Sequence, residues 1–280
     1  AMKICYKKAK VPTARYHIPS TLEKGIEFIK KVGFPVIVKP DNGVGAYHTY
    51  KINNMEELER FYYHDFPSIK YIMEEYIDGD LISFDGIVNK NNEPLFFSNE
   101  VFPTPIMEVV NRVSDVFYYC NNTCPKDLES AGRRVLKAFD AKDRYFHLEF
   151  FRLKNDKEGL GKKGDIIGLE VNMRSPGGYT PDMINYAHSV STYRIWADAI
   201  VYNNTDENLS LPQYYCGYYG RRPQNHYLHS AEDIYRRFGD KIVNHDYNPE
   251  IIAGAMGKEF FFIRTDSYDE LMAFNVFCSQ

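Results

Sequence analysis

The chain has 280 residues, of which 44% are hydrophobic and 26% are charged, fractions that are typical of a soluble globular protein. Its net charge of −4 argues against a general electrostatic affinity for nucleic acid or for an anionic membrane. No window approaches the ~20 apolar residues that a membrane-spanning helix needs. The five cysteines are odd in number and scattered along the chain, which favours reduced thiols and a cytoplasmic location.

Residues 1–76 predict a small lobe of helices and strands. Its expected elements are a helix opened by a capping box of Ser20 and Glu23 and ended by Gly33, a buried strand over 34–40, a helix opened by Asn54, and a strand over 71–77. The lobe ends where the strand over 71–77 runs into a turn.

Residues 77–280 predict a larger lobe that is rich in antiparallel strands. Its expected elements are strands over 81–89 and 94–102 joined by KNNE, a helix over 126–140, strands over 145–153 and 166–174, a helix over 181–202, a strand over 214–222, a helix opened by Ser230, a strand over 259–265 and a helix opened by Ser267. The whole pattern predicts an α+β (α/β) fold with domains at 1–76 and 77–280.

The strands over 145–153 and 166–174 carry the most informative polar pattern. Side chains alternate between the faces of a strand, so Glu170, Asn172 and Arg174 share one face, and His147 and Glu149 share another. If the strands pair as a hairpin, these polar faces combine. Carboxylate and amide oxygens are ligands of Mg²⁺, and a guanidinium can stabilise a transferring phosphoryl group. An ordinary amphipathic hairpin with a solvated face would show the same periodicity.

Two further segments are weaker signals. VKPDNGVGA ends a strand in Lys39 and continues into a loop with Gly43 and Gly45, which could turn backbone N–H groups toward phosphates. A plain turn after a strand has the same pattern. MEEYIDG, over 73–79, is an acidic strand end before a turn, and by itself it indicates only a solvated strand end.

Taken in this order, the three segments resemble the ATP-grasp superfamily. The shared pattern is a lysine strand with a glycine loop, an acidic hinge, H-x-E-F, and L-E-x-N-x-R-x-x-G-G, which is LEVNMRSPGG here. KKAKVPTARY is similar to the K-x-A-G-I-P-T-P-x-Y approach to the smaller lobe, so the resemblance covers nearly the whole chain. The motif style is similar to that of biotin-carboxylase-like enzymes and of dipeptide-synthesising carboxylate–amine ligases.

The resemblance implies two lobes, each with a largely antiparallel sheet and helices, with the nucleotide between them. It also implies an ADP-forming ligase that uses ATP and one or two Mg²⁺ ions (or Mn²⁺) to activate a small-molecule carboxylate as an acyl phosphate, which an amine or a thiol then attacks. The implied roles are nucleotide binding for Lys39, Gly43, Gly45, Glu74, Glu75 and Ile77, metal binding for Glu149, Glu170 and Asn172, and catalysis for Arg174 and His147. For His147, two roles stay open: orienting the substrate, or a hydrogen bond beside the metal site.

The sequence departs from the family pattern at several positions. His48 replaces the last glycine of the phosphate loop, Met173 replaces a proline, and Leu81 replaces a glutamate that binds the ribose hydroxyls in related ligases. The family carries an N-terminal α/β domain and, just before the K-x-A-G-I-P segment, a second nucleotide-binding lysine. The chain begins inside the helix that leads into KKAKVP, so the resemblance implies that this domain is missing. Only Lys39 is assignable of the two lysines, and Lys3, Lys7 and Lys8 stay open as replacements for the second. An oligomer is compatible with the pattern.

Two alternative functions stay open. One is a carboxylase-type subunit that phosphorylates bicarbonate, and the other is a nucleotide-binding module without turnover. Leu81 and His48 favour the loss of turnover, whereas the intact set of Glu149, Glu170, Asn172 and Arg174 opposes it.

Overall fold

A computed structural model of the chain describes residues 2–41, 49–65, 69–104 and 114–280. Within these ranges, no helix has both the length and the apolar character that a membrane span requires. The predicted phosphate loop with Gly43, Gly45 and His48 lies outside the described residues.

The first part of the chain forms a four-stranded antiparallel sheet in the order β1-β4-β2-β3. Its strands are β1 (Tyr16–His17), β2 (Val36–Pro40), β3 (Tyr50–Ile52) and β4 (Tyr71–Glu75). The helices α2 (Leu22–Val32) and α3 (Met55–Arg60), with a π-helical turn at Phe61–Asp65, supply side chains to its core. Because neighbouring residues of β2 point to opposite faces, Val36 and Val38 enter this core while Ile37 and Lys39 face away from it.

The rest of the chain builds a nine-stranded antiparallel sheet, with β6 paired to β5 beside the order β10-β9-β5-β7-β8-β11-β13-β12. Its strands are β5 (Gly79–Val88), β6 (Pro94–Ser98), β7 (Glu100–Phe102), β8 (Val116–Cys120), β9 (Arg144–Leu153), β10 (Ile166–Asn172), β11 (Tyr215–Arg221), β12 (Ile242–Tyr247) and β13 (Glu259–Thr265). The α+β prediction is confirmed.

Helices cover both faces of the larger sheet. They are α1 (Met2–Lys8), α4 (Lys126–Phe139), α5 (Thr180–His188), α6 (Thr192–Tyr202), α7 (Ala231–Phe238), α8 (Glu250–Met256) and α9 (Tyr268–Ser279). In β13, Phe260 and Phe262 join the core beneath α5 and α6, while Phe261 and Ile263 join the core beneath α7 and α9. A strand covered on both faces is apolar at consecutive positions, which explains the run EFFFIRT.

Helix α1 packs against the larger sheet, although it belongs in sequence to the predicted first domain. Tyr6 lies so close to Gly168 of β10 that a Cβ at that glycine would be 2.3 Å from the Tyr6 ring. The Tyr6 hydroxyl donates to the Glu170 carbonyl at 3.1 Å. The boundary between residues 76 and 77 stays a prediction.

Three sequence predictions of local structure were wrong in detail. Helix α2 is capped by Thr21, whose hydroxyl accepts from the Lys24 amide, because two adjacent cap formers compete there and Ser20 is not the one used. The helix expected over 181–202 is divided, since Ser189 adopts a left-handed conformation (φ 55°) and Ser191 caps α6. The strand expected over 94–102 is interrupted at residue 99, whose carbonyl accepts from the Asn121 amide.

Candidate active site

A cavity of about 420 Å³ lies between the two sheets. From the smaller sheet, Ile37, Lys39 and Glu74 line it; from the larger sheet, Glu149 and Glu170 do. The segment between β4 and β5 joins the two sheets at the edge of this cavity, with Tyr76 and Ile77 in its wall. The predicted nucleotide hinge, the lysine strand and the polar hairpin therefore meet in one place.

The cavity face of the smaller sheet carries a buried carboxylate between two ammonium groups. Lys39 Nζ lies 2.8 Å from Glu74 Oε2, and Lys3 of α1 forms an ion pair with the other carboxylate oxygen. Burial alone would raise the pKa of Glu74, but the two lysines outweigh it and hold that pKa below its ordinary value. Lys3 is one of three lysines, with Lys7 and Lys8, that the sequence left open as a replacement for the second nucleotide-binding lysine, and among them it is Lys3 that contacts Glu74.

The hinge is fixed by a second ion-pair cluster. Arg15 donates from its backbone N–H, Nε and Nη2 to the Glu75 carboxylate at 2.7, 2.9 and 2.6 Å, and Lys157 Nζ lies 3.7 Å from it. The Glu75 side chain is thus held by the protein itself. In the described part of the chain, no group accepts a hydrogen bond from the Ile77 amide, which leaves a donor at the hinge for a ligand.

The polar hairpin forms as predicted. Strands β9 and β10 pair antiparallel, with Glu170 opposite Glu149 and Asn172 opposite His147. A register shift between Gly168 and Glu170 interrupts the ladder just before the two glutamates. The Asn172 amide donates to Glu170 Oε1 at 3.2 Å.

His147 is held between two carboxylates. Its Nδ1 lies 2.5 Å from Asp85 of β5, and its Nε2 lies 3.0 Å from Glu149. Asp85 is fully buried and also accepts a hydrogen bond from Ser83. Burial alone would lower the pKa of His147, but Asp85 and Glu149 outweigh it and hold that pKa well above its ordinary value. Asp85 was missed in the sequence, although the alternation of Ser83 and Asp85 along a predicted strand was a signal for it.

A further carboxylic acid lies behind this chain of contacts. Glu100 is completely buried; it accepts a hydrogen bond from Thr180 at 3.2 Å and one from the Cys120 thiol at 3.3 Å. Burial and the nearby Asp85 raise the pKa of Glu100 to about 8. Both causes favour the protonated, neutral form of the Glu100 side chain.

Arg174 follows the end of β10 and is exposed at the cavity wall, where its Nη1 donates to the Ser175 carbonyl at 2.8 Å. Gly177 and Gly178 lie beside it in the same wall. Leu81 also lines the cavity, whereas Asp80 points to the other side of β5 and pairs with Lys154 at 3.0 Å. In related ligases the position of Leu81 holds a glutamate that binds the ribose, and Asp80 does not take its place because it faces away from the cavity.

The chain belongs to the ATP-grasp family. The family model, described as an ATP-grasp domain, matches residues 32–181, which is more than half of the chain. This model spans the lysine strand, the hinge and the polar hairpin, and so covers most of the residues that line the cavity; Lys3, Ala14 and Met256 lie outside it.

Two curated relatives are ligases. The chain is 26% identical over 219 residues to the L-arginine-specific L-amino acid ligase of Bacillus subtilis, covering 75% of the chain and 50% of the relative. It is 25% identical over 156 residues to the D-alanine–D-alanine ligase of Francisella philomiragia, covering 52% of the chain and 47% of the relative. The chain spans about half the length of the curated relatives it matches.

Solved structures share the fold over nearly the whole chain. An L-amino acid ligase from Bacillus licheniformis has a TM-score of 0.70 at 16% identity and covers 98% of this chain and 68% of its own. A carboxyaminoimidazole ribonucleotide synthase from Aspergillus clavatus, solved with ATP, has a TM-score of 0.70 at 15% identity, over 98% and 69%. A biotin carboxylase domain from Hydrogenobacter thermophilus, solved with MgADP and bicarbonate, has a TM-score of 0.66 at 15% identity, over 97% and 62%.

Proposed function

We propose that this chain is the ATP-binding and catalytic part of an ADP-forming ligase that activates a carboxylate as an acyl phosphate for attack by an amine or a thiol. The observation that carries the proposal is the single cavity in which Lys39 and the hinge face Glu149, Glu170 and Arg174. The names of the relatives support it, since two of them are amino acid ligases and the solved neighbours include complexes with ATP and with MgADP. A cytoplasmic location and the division into domains at 1–76 and 77–280 stay predictions.

The hairpin fits a divalent cation that arrives with a nucleotide. Among the described residues, no cluster of three or more His, Cys, Asp or Glu side chains is arranged to hold a metal ion. Mg²⁺ commonly binds through one or two carboxylates and completes its coordination with waters and substrate phosphates, so Glu149 and Glu170, with Asn172 beside them, suffice as protein ligands. When bound, the cation neutralises charge on the nucleotide phosphates.

The nucleotide would lie across the hinge. The Ile77 backbone N–H, which has no acceptor among the described residues, would donate to the adenine ring, and Lys39 and Lys3 would face the phosphates of the nucleotide. His147 would act as a positioning residue, because both of its ring nitrogens are already engaged with carboxylates. This supports the second of the two roles left open by the sequence, the hydrogen bond beside the metal site.

The proposed reaction has two steps, formation of the acyl phosphate and its attack by the amine. A carboxylate oxygen of the substrate attacks the γ-phosphorus of ATP, the bond to the β-phosphate oxygen breaks, and ADP leaves. The amine nitrogen then attacks the acyl carbon, inorganic phosphate leaves, and the amine gives up one proton. Arg174 would stabilise the negative charge on the transferring phosphoryl group and on the acyl phosphate.

The test is ADP release from Mg·ATP with a panel of carboxylates and amines, with hydroxylamine as a trap for the acyl phosphate. We expect ADP release that requires Mg²⁺ and a carboxylate, and a hydroxamate when hydroxylamine replaces the amine. Mg·ATP binding without ADP release on any substrate would instead support a nucleotide-binding module. Carboxylate-independent ADP release would contradict the ligase assignment.

A further inference from the structure

The cavity continues past Arg174 and the glycine pair into an apolar end. This end is formed by Leu81, Phe102, Tyr118, Gly178 and Met256. Leu81 and Phe102 lie opposite each other on paired strands. The Phe102 and Tyr118 rings stack with centroids 5.2 Å apart. A Cβ built on Gly178 would lie 3.2 Å from Met256 Cε and 3.9 Å from the Tyr118 hydroxyl. The apolar surface is therefore continuous from β5 to the end of α8.

Met256 is presented by a helix whose C-terminal end is firmly held. The Met256 carbonyl accepts a hydrogen bond from the Tyr218 hydroxyl at 2.8 Å. The next carbonyl, of Gly257, accepts one from the Asn248 side-chain Nδ2 at 2.8 Å. A Cβ at Gly220 would lie 1.9 Å from the Met256 carbonyl oxygen, so the backbone here is in close contact with β11. The rest of α8 contributes no buried residue, and Ile251 is 93% exposed. Met256 is the residue that α8 contributes to the described cavity wall.

The charges around the cavity divide it into a nucleotide part and an uncharged end. The acidic side chains in its described lining are Glu74, Glu75, Glu149 and Glu170, and all of them lie at the hinge or at the polar hairpin. At the apolar end, the described lining offers no carboxylate and no ammonium group. The cationic group at its mouth is Arg174.

We propose that this end binds an uncharged, apolar side chain of the carboxylate substrate, and that Met256 sets the largest side chain accepted. The inference rests on the proposed function, because Arg174, which would stabilise the acyl phosphate, lies at the mouth of this end. Bicarbonate has no side chain to fill this space, so the same feature separates the ligase from the carboxylase-type alternative. A cationic side chain would lose its water without gaining an acidic partner.

The test measures amino acid binding by calorimetry in the presence of Mg²⁺ and a non-hydrolysable ATP analogue, with alanine, leucine, phenylalanine, arginine and glutamate as probes. We expect leucine and phenylalanine to bind roughly tenfold or more tightly than alanine, because each buried methylene changes discrimination by about 10- to 200-fold. Arginine and glutamate should bind no more tightly than alanine.

The matched variants are Met256→Ala and Ile251→Ala, which truncate two side chains of the same helix. Met256→Ala should raise the ratio of phenylalanine to leucine affinity about tenfold, and Ile251→Ala should leave it unchanged. Met256→Phe fills the apolar end instead of emptying it and should lower the affinity for phenylalanine. This variant keeps the test decisive if the smaller side chain of Met256→Ala loosens α8.

A preference for arginine or glutamate, or equal ratios in all Met256 variants, would overturn the inference. So would nucleotide binding with no detectable binding of any amino acid. The proposed function fails separately, if the apolar preference is present in binding but neither ADP nor hydroxamate forms.

Discussion

Two pairs of glutamates line the same cavity in opposite electrostatic settings. On the smaller sheet, Glu74 contacts Lys3 and Lys39, and Glu75 contacts Arg15 and Lys157. On the larger sheet, Glu149 and Glu170 face each other, and within the described ranges no lysine or arginine lies within ion-pair distance of either.

The difference shows what each side is suited to bind. Lys39 of the smaller sheet, together with Lys3 of α1, Arg15 and Lys157, sets four cationic groups around these two carboxylates. The surplus positive charge suits the phosphates of a nucleotide. The polar hairpin has two carboxylates and His147 as its cationic partner, and the surplus negative charge suits a divalent cation. A ligand that carries phosphates and a bound metal ion would satisfy both sides at once.

The largest expected effect concerns the polar hairpin. Glu170→Gln should lower Mg²⁺-dependent ADP release by roughly a hundredfold or more, because it removes one of the two carboxylates that we propose as metal ligands. The thermal midpoint should stay the same or rise, since one of two facing like charges disappears. Enzyme assays and thermal melts of the variant and the wild type measure both effects.

Glu129→Gln, on the solvent side of α4, is the matched control for the loss of one carboxylate. It should leave ADP release unchanged. Near-normal turnover in Glu170→Gln would show that Glu170 does not bind the metal ion, and the proposed electrostatic difference between the two sides of the cavity would then be wrong.

The next effect concerns the cationic side. Lys3→Met should weaken Mg·ATP binding about ten- to a hundredfold, as the loss of one charged hydrogen bond is worth about 1.5–3 kcal/mol. Lys39→Met should have an effect of the same size, because both ammonium groups contact Glu74. Calorimetric titration of Mg·ATP into each variant gives the comparison.

Lys7→Met, one turn further along α1, is the matched control and should bind Mg·ATP like the wild type. If Lys39→Met weakens binding and Lys3→Met does not, Lys3 only neutralises Glu74. Of Lys3, Lys7 and Lys8, which the sequence left open as replacements for the second nucleotide-binding lysine, Lys3 is the candidate because it contacts Glu74.

The smallest effect adds Glu100 to the comparison. Glu100 is a buried carboxyl group outside the described lining of the cavity, and among the described residues it forms no ion pair with a lysine or an arginine. Glu100 has a folded-state pKa of about 8 against an ordinary value of 4.5. Its contribution to stability is therefore complete below about pH 4.5 and is lost as the pH rises to about 8, with a slope of at most ~1.4 kcal/mol per pH unit for one proton.

Glu100→Gln should remove this part of the pH dependence while keeping a hydrogen-bonding oxygen for Thr180. Urea unfolding of the variant and the wild type between pH 5 and 8 measures it, with Glu56→Gln as a surface control. The same slope in Glu100→Gln and the wild type would show that Glu100 is ionised in the folded protein.

The sequence by itself determined the family, the α+β class and the polar hairpin. Those features depend on local patterns: the alternation in HLEF and LEVNMR fixes which side chains share a face, and the pairing of β9 with β10 follows from it. The sequence did not determine that the helix divides at Ser189 or that Thr21 is the cap of α2. Neighbouring residues there have similar local preferences, and packing decides which of them ends or caps the helix.

Only the tertiary structure decided which distant side chains meet at the cavity. Lys3 reaches Glu74 because α1 packs on the larger sheet while its lysine points back to the smaller one. Asp85 reaches His147 because β5 lies beside β9, and Met256 reaches Gly178 because α8 ends against β11. No periodic pattern in the sequence predicts these contacts. They join residues far apart in the chain, and the strand order and the packing of the two sheets decide which of those residues meet.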